Sequence, residues 1–191
     1  MTRRDVRREM IQGTVDLLAA HGVAGTSFAL VVAETDAPRG SIYHHFPGGK
    51  NELVGEAVTS VGASVTALID GLDARSPAEV VTAFLDGWRA LLTGSGFARG
   101  CAVAAAGLGA DDVDAIRTAA DAAFDSWRAA LTQALVRSGL DGSTASDIAA
   151  LSLAAVEGAL ILGRVARSDE VFDVLHRQLV RLVDDTAAGA P

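Results

Sequence analysis

The sequence of 191 residues contains one cysteine, Cys101, one lysine, Lys50, and four prolines, and only 5% of it is aromatic. One cysteine cannot form an internal disulfide or a cysteine-based zinc site, so we expect a reducing cytoplasm as the compartment. No stretch of about 18 apolar residues runs without a charge or a glycine, which predicts no membrane span. The charged start, MTRRDVRREM, is unlike a signal peptide.

The sequence is instead rich in alanine, with 37 residues, and it is 50% hydrophobic and 21% charged. Such a composition favours helices with a packed core and excludes a disordered chain. Apolar residues at helical spacing predict an all-α protein of about nine helices and no strand. At about 100–200 residues per domain, this length fits one domain or two small ones.

The net charge of −8 argues at first against nucleic acid as a partner, but the charge is unevenly distributed. Residues 1–50 hold six Lys or Arg and five acidic residues, a net +1, whereas residues 51–191 hold ten against nineteen, a net −9. A polyanion would therefore meet the N-terminal end and be repelled by the rest. A solvated start of a helix would explain the same charges.

Two short helices joined by a tight turn are predicted within residues 26–46, an arrangement typical of a helix-turn-helix. Ile42 and Phe46 have the i, i+4 spacing of an inward-facing pair in the second helix. The outward side then holds Arg39, Gly40, Tyr43 and His44, with Ser41 at one edge.

These outward residues have the chemistry of a DNA contact. Arg39 can bind a guanine edge or a phosphate, Ser41 and Tyr43 can donate to phosphates, and Gly40 permits close approach to the duplex. Three residues at helix N-termini are also placed to bind phosphates: Thr26, Ser27 and Lys50. Each could equally be a helix cap or a solvated surface residue, so geometry alone leaves DNA contact open.

Other chemistries find little support in the sequence. His44 and His45 are adjacent on a helix and point in different directions, so we expect no metal site. The glycine-rich segment 94–100 follows a helix and matches no phosphate-binding motif, and Asp111, Asp112 and Asp114 suit the start of a helix. We expect no cofactor and no enzymatic activity.

Several segments resemble the TetR family of one-component transcriptional regulators. They are Thr26-Ser27-Phe28, residues 33–37, and residues 40–46 followed by Lys50 and Leu53. Pro38-Arg39-Gly40-Ser41, Gly48-Gly49-Lys50 and Gly100-Cys101-Ala102-Val103 are similar to the subgroup typified by LmrA and YxaF. The chain departs from the family at Asp36, where the turn usually has glycine; aspartate tolerates the left-handed conformation well, so we expect the turn to survive.

The resemblance implies a helix-turn-helix DNA-binding domain over residues 1–50 and a larger ligand-binding and dimerisation domain over 51–191. It implies a ligand-responsive regulator, most simply a repressor, with activation left open. It implies a homodimer built from about residues 145–185, a palindromic DNA operator read by two helices about 34–36 Å apart, and a small apolar or amphipathic effector. Large or polarisable side chains are candidates for the effector pocket: Phe84, Trp88, Phe97, Cys101, Phe124 and Trp127. The helix from Lys50 would transmit the signal. The alternative is a helical ligand-binding or interaction module that does not contact DNA.

Overall fold

The structure is a computed structural model that describes residues 5–35, 37, 41–110 and 113–188. These residues contain nine helices and no strand, which confirms the predicted fold class. The helices are α1 (Val6–His21), α2 (Phe28–Thr35), α3 (Ser41–His45), α4 (Lys50–Asp70), α5 (Pro77–Gly94), α6 (Ala102–Leu108), α7 (Asp114–Arg137), α8 (Gly142–Ala166) and α9 (Glu170–Ala188). The turn residue Asp36 and the acidic pair Asp111 and Asp112 lie outside the described residues.

Side-chain caps fix where several helices begin. The Ser76 hydroxyl accepts from the Glu79 amide at 3.2 Å and starts α5, with Pro77 in the first turn. Asp141 starts α8, because its carboxylate accepts from the amides of Ser143 and Thr144 at 3.0 and 3.1 Å. Hydrogen bonds from the Ser143 hydroxyl and these amides hold the pKa of Asp141 well below its usual range.

The chain packs into two compact units, residues 1–63 with 101–124, and residues 64–100 with 125–191. The helices α4 and α7 therefore contribute residues to both. The first unit has its own core, in which α1, α2, α3 and the start of α4 meet. Its buried apolar residues are Met10, Leu17, Val31, Ala37, Ile42, Phe46 and Leu53. The expected domain boundary at residue 50 stays a prediction.

In the second unit, ion pairs join α5 to α9. Arg89 Nε donates to Asp169 Oδ2 at 2.6 Å, and Arg89 Nη1 donates to Asp173 Oδ1 at 2.8 Å. The hydrogen bond from Arg89 lowers the pKa of Asp169, so the stabilisation from this pair is present near neutral pH and is lost as pH falls through that lowered pKa. The Thr82 hydroxyl also lies 3.0 Å from His176 Nε2 across the same two helices.

The helices α4 and α8 meet a length-and-hydropathy criterion for a membrane span, with mean hydropathies of 1.3 and 1.8. Two such helices are weak evidence for a span, so the expectation of no membrane span stays a prediction. Core helices of other proteins have the same property, and both helices bury side chains here, such as Leu53 and Ala57 in α4 and Ala149 and Val156 in α8. Their apolar character thus has a packing role in the two units.

Gly13 permits the close approach of α1 to α2. A Cβ atom at this position would lie 2.6 Å from Cγ2 of Thr35, whose side chain is buried. We expect Gly13→Ala to destabilise the protein by about 1–3 kcal/mol, because overpacking outweighs the better helix propensity of alanine. The measurement is the midpoint of urea unfolding. The matched control is Gly55→Ala in α4, where a Cβ would meet nothing within 4 Å, and a similar loss there would contradict the packing argument.

Candidate nucleic-acid interface and ligand pocket

The short helix α3 presents one buried and one exposed side. Ile42 is 2% exposed and Phe46 is fully buried, while Tyr43 is 68% exposed and His44 is also exposed. The buried pair anchors the helix in the core of the first unit, so the exposed pair is presented on a fixed support. Arg39 and Gly40 lie outside the described residues, and of Ser41 only the backbone is described.

The expected phosphate-binding residues at helix N-termini have different surroundings. Ser27 is exposed, and its hydroxyl accepts from the Leu30 amide at 3.3 Å as a cap of α2. Thr26 is 1% exposed and its hydroxyl donates to the Gly22 carbonyl at 2.8 Å. The Thr26 hydroxyl is therefore buried and holds a local turn, and contact of this residue with a phosphate stays a prediction.

Lys50 is the first residue of α4, where a cation can also bind a phosphate. Its side chain is half-buried and Nζ donates to the Val23 carbonyl at 2.6 Å. An ammonium group has three donors, so one hydrogen bond leaves two for other partners. The bond to Val23 fixes the position of the charge near the start of α4.

Two contacts in the first unit are not evident from local sequence patterns. The rings of Phe28 and Tyr43 meet edge to face, with centroids 5.4 Å apart and planes at 85°. Arg7 forms an ion pair with Glu56 of α4, and its guanidinium carbon lies 5.2 Å from the centroid of the Phe46 ring. Part of the positive charge at the N-terminal end is therefore already paired within the protein. Both contacts join residues distant in sequence.

An apolar pocket lies between the end of α4 and α5, within the second unit. Its volume is about 160 Å³. The lining residues are all uncharged: Val65, Leu68, Ile69, Leu72, Ala83, Phe84, Gly87, Trp88 and Leu91. A pocket with such walls binds apolar groups through burial of their surface and offers no charged partner to an ion.

Of the six residues expected near an effector, Phe84 and Trp88 line this pocket. Trp127 does not line it, but it is 1% exposed and its ring packs 5.5 Å from that of Trp88. Phe97 lies elsewhere, in the turn after α5, with the Arg167 guanidinium carbon 6.0 Å from its ring centroid. Cys101 and Phe124 belong to the first unit, where the Cys101 thiol caps α6, and their contact with an effector stays a prediction.

The helices α8 and α9 pack on each other in the second unit and leave apolar side chains exposed. On α8, Ile161 is 63% exposed and Val165 is 83% exposed. Other exposed apolar residues on the two helices are Ala150, Leu151, Ala154, Leu162, Val174 and Leu182. We call this set, with Ile161 and Val165, the α8–α9 face. Exposed apolar surface of this extent is typical of an interface with another protein.

Comparison with known families decides the classification. A model of bacterial regulatory proteins of the tetR family matches residues 10–57, which include α2 and α3. A model of the LmrA/YxaF-like transcriptional regulator C-terminal domain matches residues 77–178. The chain belongs to the TetR family. This TetR-family protein is therefore a transcriptional regulator with a DNA-binding helix-turn-helix.

Relatives are similar over nearly their whole length. A helix-turn-helix transcriptional regulator of Mycobacterium tuberculosis is 35% identical over 93% of both chains. YxaF of Bacillus subtilis is 30% identical, over 96% of this chain and 98% of YxaF. LmrA of the same organism is 29% identical, over 88% of this chain and 91% of LmrA. The resemblance found in the sequence is confirmed.

Solved structures share the fold. A TetR-family regulator from Agrobacterium tumefaciens superposes with a TM-score of 0.80 at 23% identity, over 93% of this chain and 97% of that chain. A TetR regulator from Legionella pneumophila has a TM-score of 0.79 at 21% identity, over 96% and 100%. The fold of the described residues is thus shared with solved TetR-family regulators.

Proposed function

We propose that this regulator is a cytoplasmic, homodimeric repressor that binds a palindromic operator and is released by a small apolar or amphipathic effector. The observation that carries the proposal is the two-sided character of α3 in a TetR-family chain, with Ile42 and Phe46 buried and Tyr43 and His44 exposed. A helix held in this way can enter the major groove with its outer side.

In the proposed complex, Tyr43 and His44 meet the DNA from α3, and Ser27 and Lys50 bind phosphates on either side of it. Arg39, Gly40 and Ser41 are proposed contacts from their sequence positions. The buried hydroxyl of Thr26 supports the loop before α2 rather than the DNA directly. The acidic remainder of the chain repels a polyanion, which favours approach by the N-terminal module.

The proposed dimer forms through the α8–α9 face. Burial of its exposed leucine, isoleucine and valine side chains supplies the driving force. The small residues Ala150 and Ala154 let a partner helix approach closely. A twofold dimer requires this face to be complementary to itself, and it places two recognition helices on one operator.

The proposed effector site is the α4–α5 pocket. The uncharged lining favours a neutral apolar group, and an amphipathic molecule would keep its polar end at the mouth. A solved structure of the same fold, FadR of Bacillus subtilis, is a complex with stearoyl-CoA, with a TM-score of 0.68 at 12% identity. Because Val65, Leu68 and Ile69 of α4 line the pocket, an effector can favour one conformer of α4 over another and so shift the population away from the DNA-bound state.

The test of DNA binding is a footprint on the region upstream of the coding sequence, followed by affinity measurements at several salt concentrations. We expect protection of an inverted repeat and a steep negative slope of log affinity against log salt, since phosphate contacts release counterions. If the protein protects no site and its DNA affinity does not depend on salt, the proposal is contradicted. The protein would then be a ligand-binding module that does not contact DNA.

Filling the pocket is expected to abolish the ligand response. Gly87 lines the pocket, and a Cβ there meets nothing within 4 Å. We expect Gly87→Phe to occupy the cavity and to weaken binding of octanol more than about tenfold, because the apolar surface that octanol would bury is already covered. The readout is tryptophan emission, since Trp88 lines the pocket and the chain has two tryptophans.

The matched control is Gly87→Ala, which leaves the cavity open and should keep the response to octanol. Octanoate serves as the charged counterpart and should bind the parent protein weakly. An equal response of the parent and Gly87→Phe would place the octanol site elsewhere, and a preference for octanoate would contradict the proposed effector class.

A further inference from the structure

An open cleft of about 360 Å³ lies between α2 and α3 in the first unit, next to the exposed side of α3. The cleft is lined by Phe28, Ala29, Val32, Ala33, Ile42 and Tyr43. Ala29 and Ala33 are exposed on α2, so small methyl groups form part of its mouth. The cleft thus combines the exposed ring of Tyr43 with the short side chains of α2.

The side chains that line this cleft are mostly apolar. Apart from the Tyr43 hydroxyl they carry no hydrogen-bonding group, so they present apolar surface to whatever enters the cleft. A phosphate is also a poor occupant, because the lining side chains include no cation to pair with it. The cleft therefore suits a small apolar group.

The walls are also fixed in position. Ile42 is 2% exposed and belongs to the core of the unit, and Phe28 and Val32 are half-buried against that core. The edge-to-face contact with Phe28 holds the exposed ring of Tyr43. A preformed cleft loses little conformational entropy when a group enters it.

We propose that this cleft receives the 5-methyl group of a thymine in the operator, which makes α2 and α3 together a specificity element for one thymine in each half-site. In the major groove the thymine methyl is the apolar group presented by the base edges. The cleft opens beside Tyr43, on the side of the module that faces DNA in the proposed function, on which this inference rests. Burial of one methyl group predicts a preference for thymine over uracil of about threefold to tenfold.

The experiment uses duplex DNA selected from a random library by the full-length protein. Each thymine of the selected site is replaced singly by deoxyuridine, which removes the methyl group and keeps base pairing. We expect one symmetry-related position at which the replacement weakens binding about threefold to tenfold, with changes below twofold elsewhere. Affinities unchanged at every position would overturn the proposal while leaving DNA binding intact. Failure to select any DNA would overturn both this proposal and the proposed function.

A variant assigns the effect to the cleft. Val32→Thr keeps the shape of the side chain and introduces a hydroxyl, and we expect it to reduce the thymine preference at that position below twofold. The matched control is Leu30→Thr, since Leu30 is 44% exposed on the same helix and does not line the cleft. Ala33→Ser, at an exposed position of the mouth, is the second cleft variant if Val32→Thr lowers the melting temperature.

An unchanged thymine preference in folded cleft variants would overturn the assignment. A change in sedimentation of the DNA-free protein caused by Val32→Thr and not by Leu30→Thr would show that another protein chain occupies the cleft, and would likewise overturn it.

Discussion

Replacing Ile161 and Val165 together by aspartate is expected to convert the regulator into a monomer and to weaken operator binding more than about 100-fold. The two side chains are 63% and 83% exposed on α8, so the change removes little packing within the protein. In the proposed dimer it places four carboxylates in an apolar interface, where each loses its hydration without a partner. Loss of the dimer uncouples the two recognition helices and removes the avidity for two half-sites.

The measurements are sedimentation equilibrium and operator affinity on the same samples. Leu108→Asp is the matched control, because Leu108 is 82% exposed at the end of α6 and is not one of the residues of the α8–α9 face. We expect this control to remain dimeric with unchanged affinity. A dimeric Ile161→Asp, Val165→Asp variant would contradict the proposed interface, and a monomeric one with full affinity would contradict the need for a dimer on the operator.

The fold was predictable because its signals are local. Helix periodicity and a side-chain cap such as Ser76 depend on residues a few positions apart. The i, i+4 pair of Ile42 and Phe46 likewise predicts the inner side of α3, and both are buried. The helix count and the absence of strands among the described residues follow from the same kind of pattern.

Features that depend on distant residues were not predictable in this way. The sequence places Arg7 among the charges available to a polyanion, but it pairs with Glu56, 49 positions further along the chain. The position of Thr26 before a helix suggests a phosphate contact, and only the structure reveals that its hydroxyl is buried. The ring contact between Phe28 and Tyr43 also joins two separate helices.

The helix α4 illustrates a further limit of periodicity. A single apolar stripe predicts Leu53, Ala57, Val61, Val65 and Leu68 as its inner side. Leu53 and Ala57 are buried, but Leu68 is 71% exposed and Ile69 is 3% exposed instead. The two ends of α4 belong to different units and bury different sides. A single apolar stripe assumes that the same side of α4 is buried along its whole length. It therefore predicts neither the change of buried side nor the pocket that the end of α4 lines.

Removal of the Tyr43 side chain is expected to weaken operator binding by about 1–3 kcal/mol in each half-site, and by roughly 30-fold or more for a dimer on two half-sites. Tyr43 is 68% exposed on α3, so Tyr43→Ala removes a DNA-binding side chain and little core packing. The side chain is neutral, and the slope of log affinity against log salt should therefore stay unchanged. Lys50→Ala, in contrast, should reduce that slope by about 1 for each phosphate that Lys50 binds.

Tyr43→Phe separates the hydroxyl of this residue from its ring, because phenylalanine can keep the edge-to-face contact with Phe28. If the hydroxyl donates to a phosphate or a base, Tyr43→Phe should lose most of the operator affinity that Tyr43→Ala loses. If the ring packs on the DNA instead, Tyr43→Phe should lose little operator affinity. The Tyr43 ring is mostly exposed and adds little to the stability of the fold, so both variants should have the melting temperature of the parent. Operator affinity of Tyr43→Ala within twofold of the parent would remove Tyr43 from the interface and, with it, the proposed orientation of α3 in the major groove.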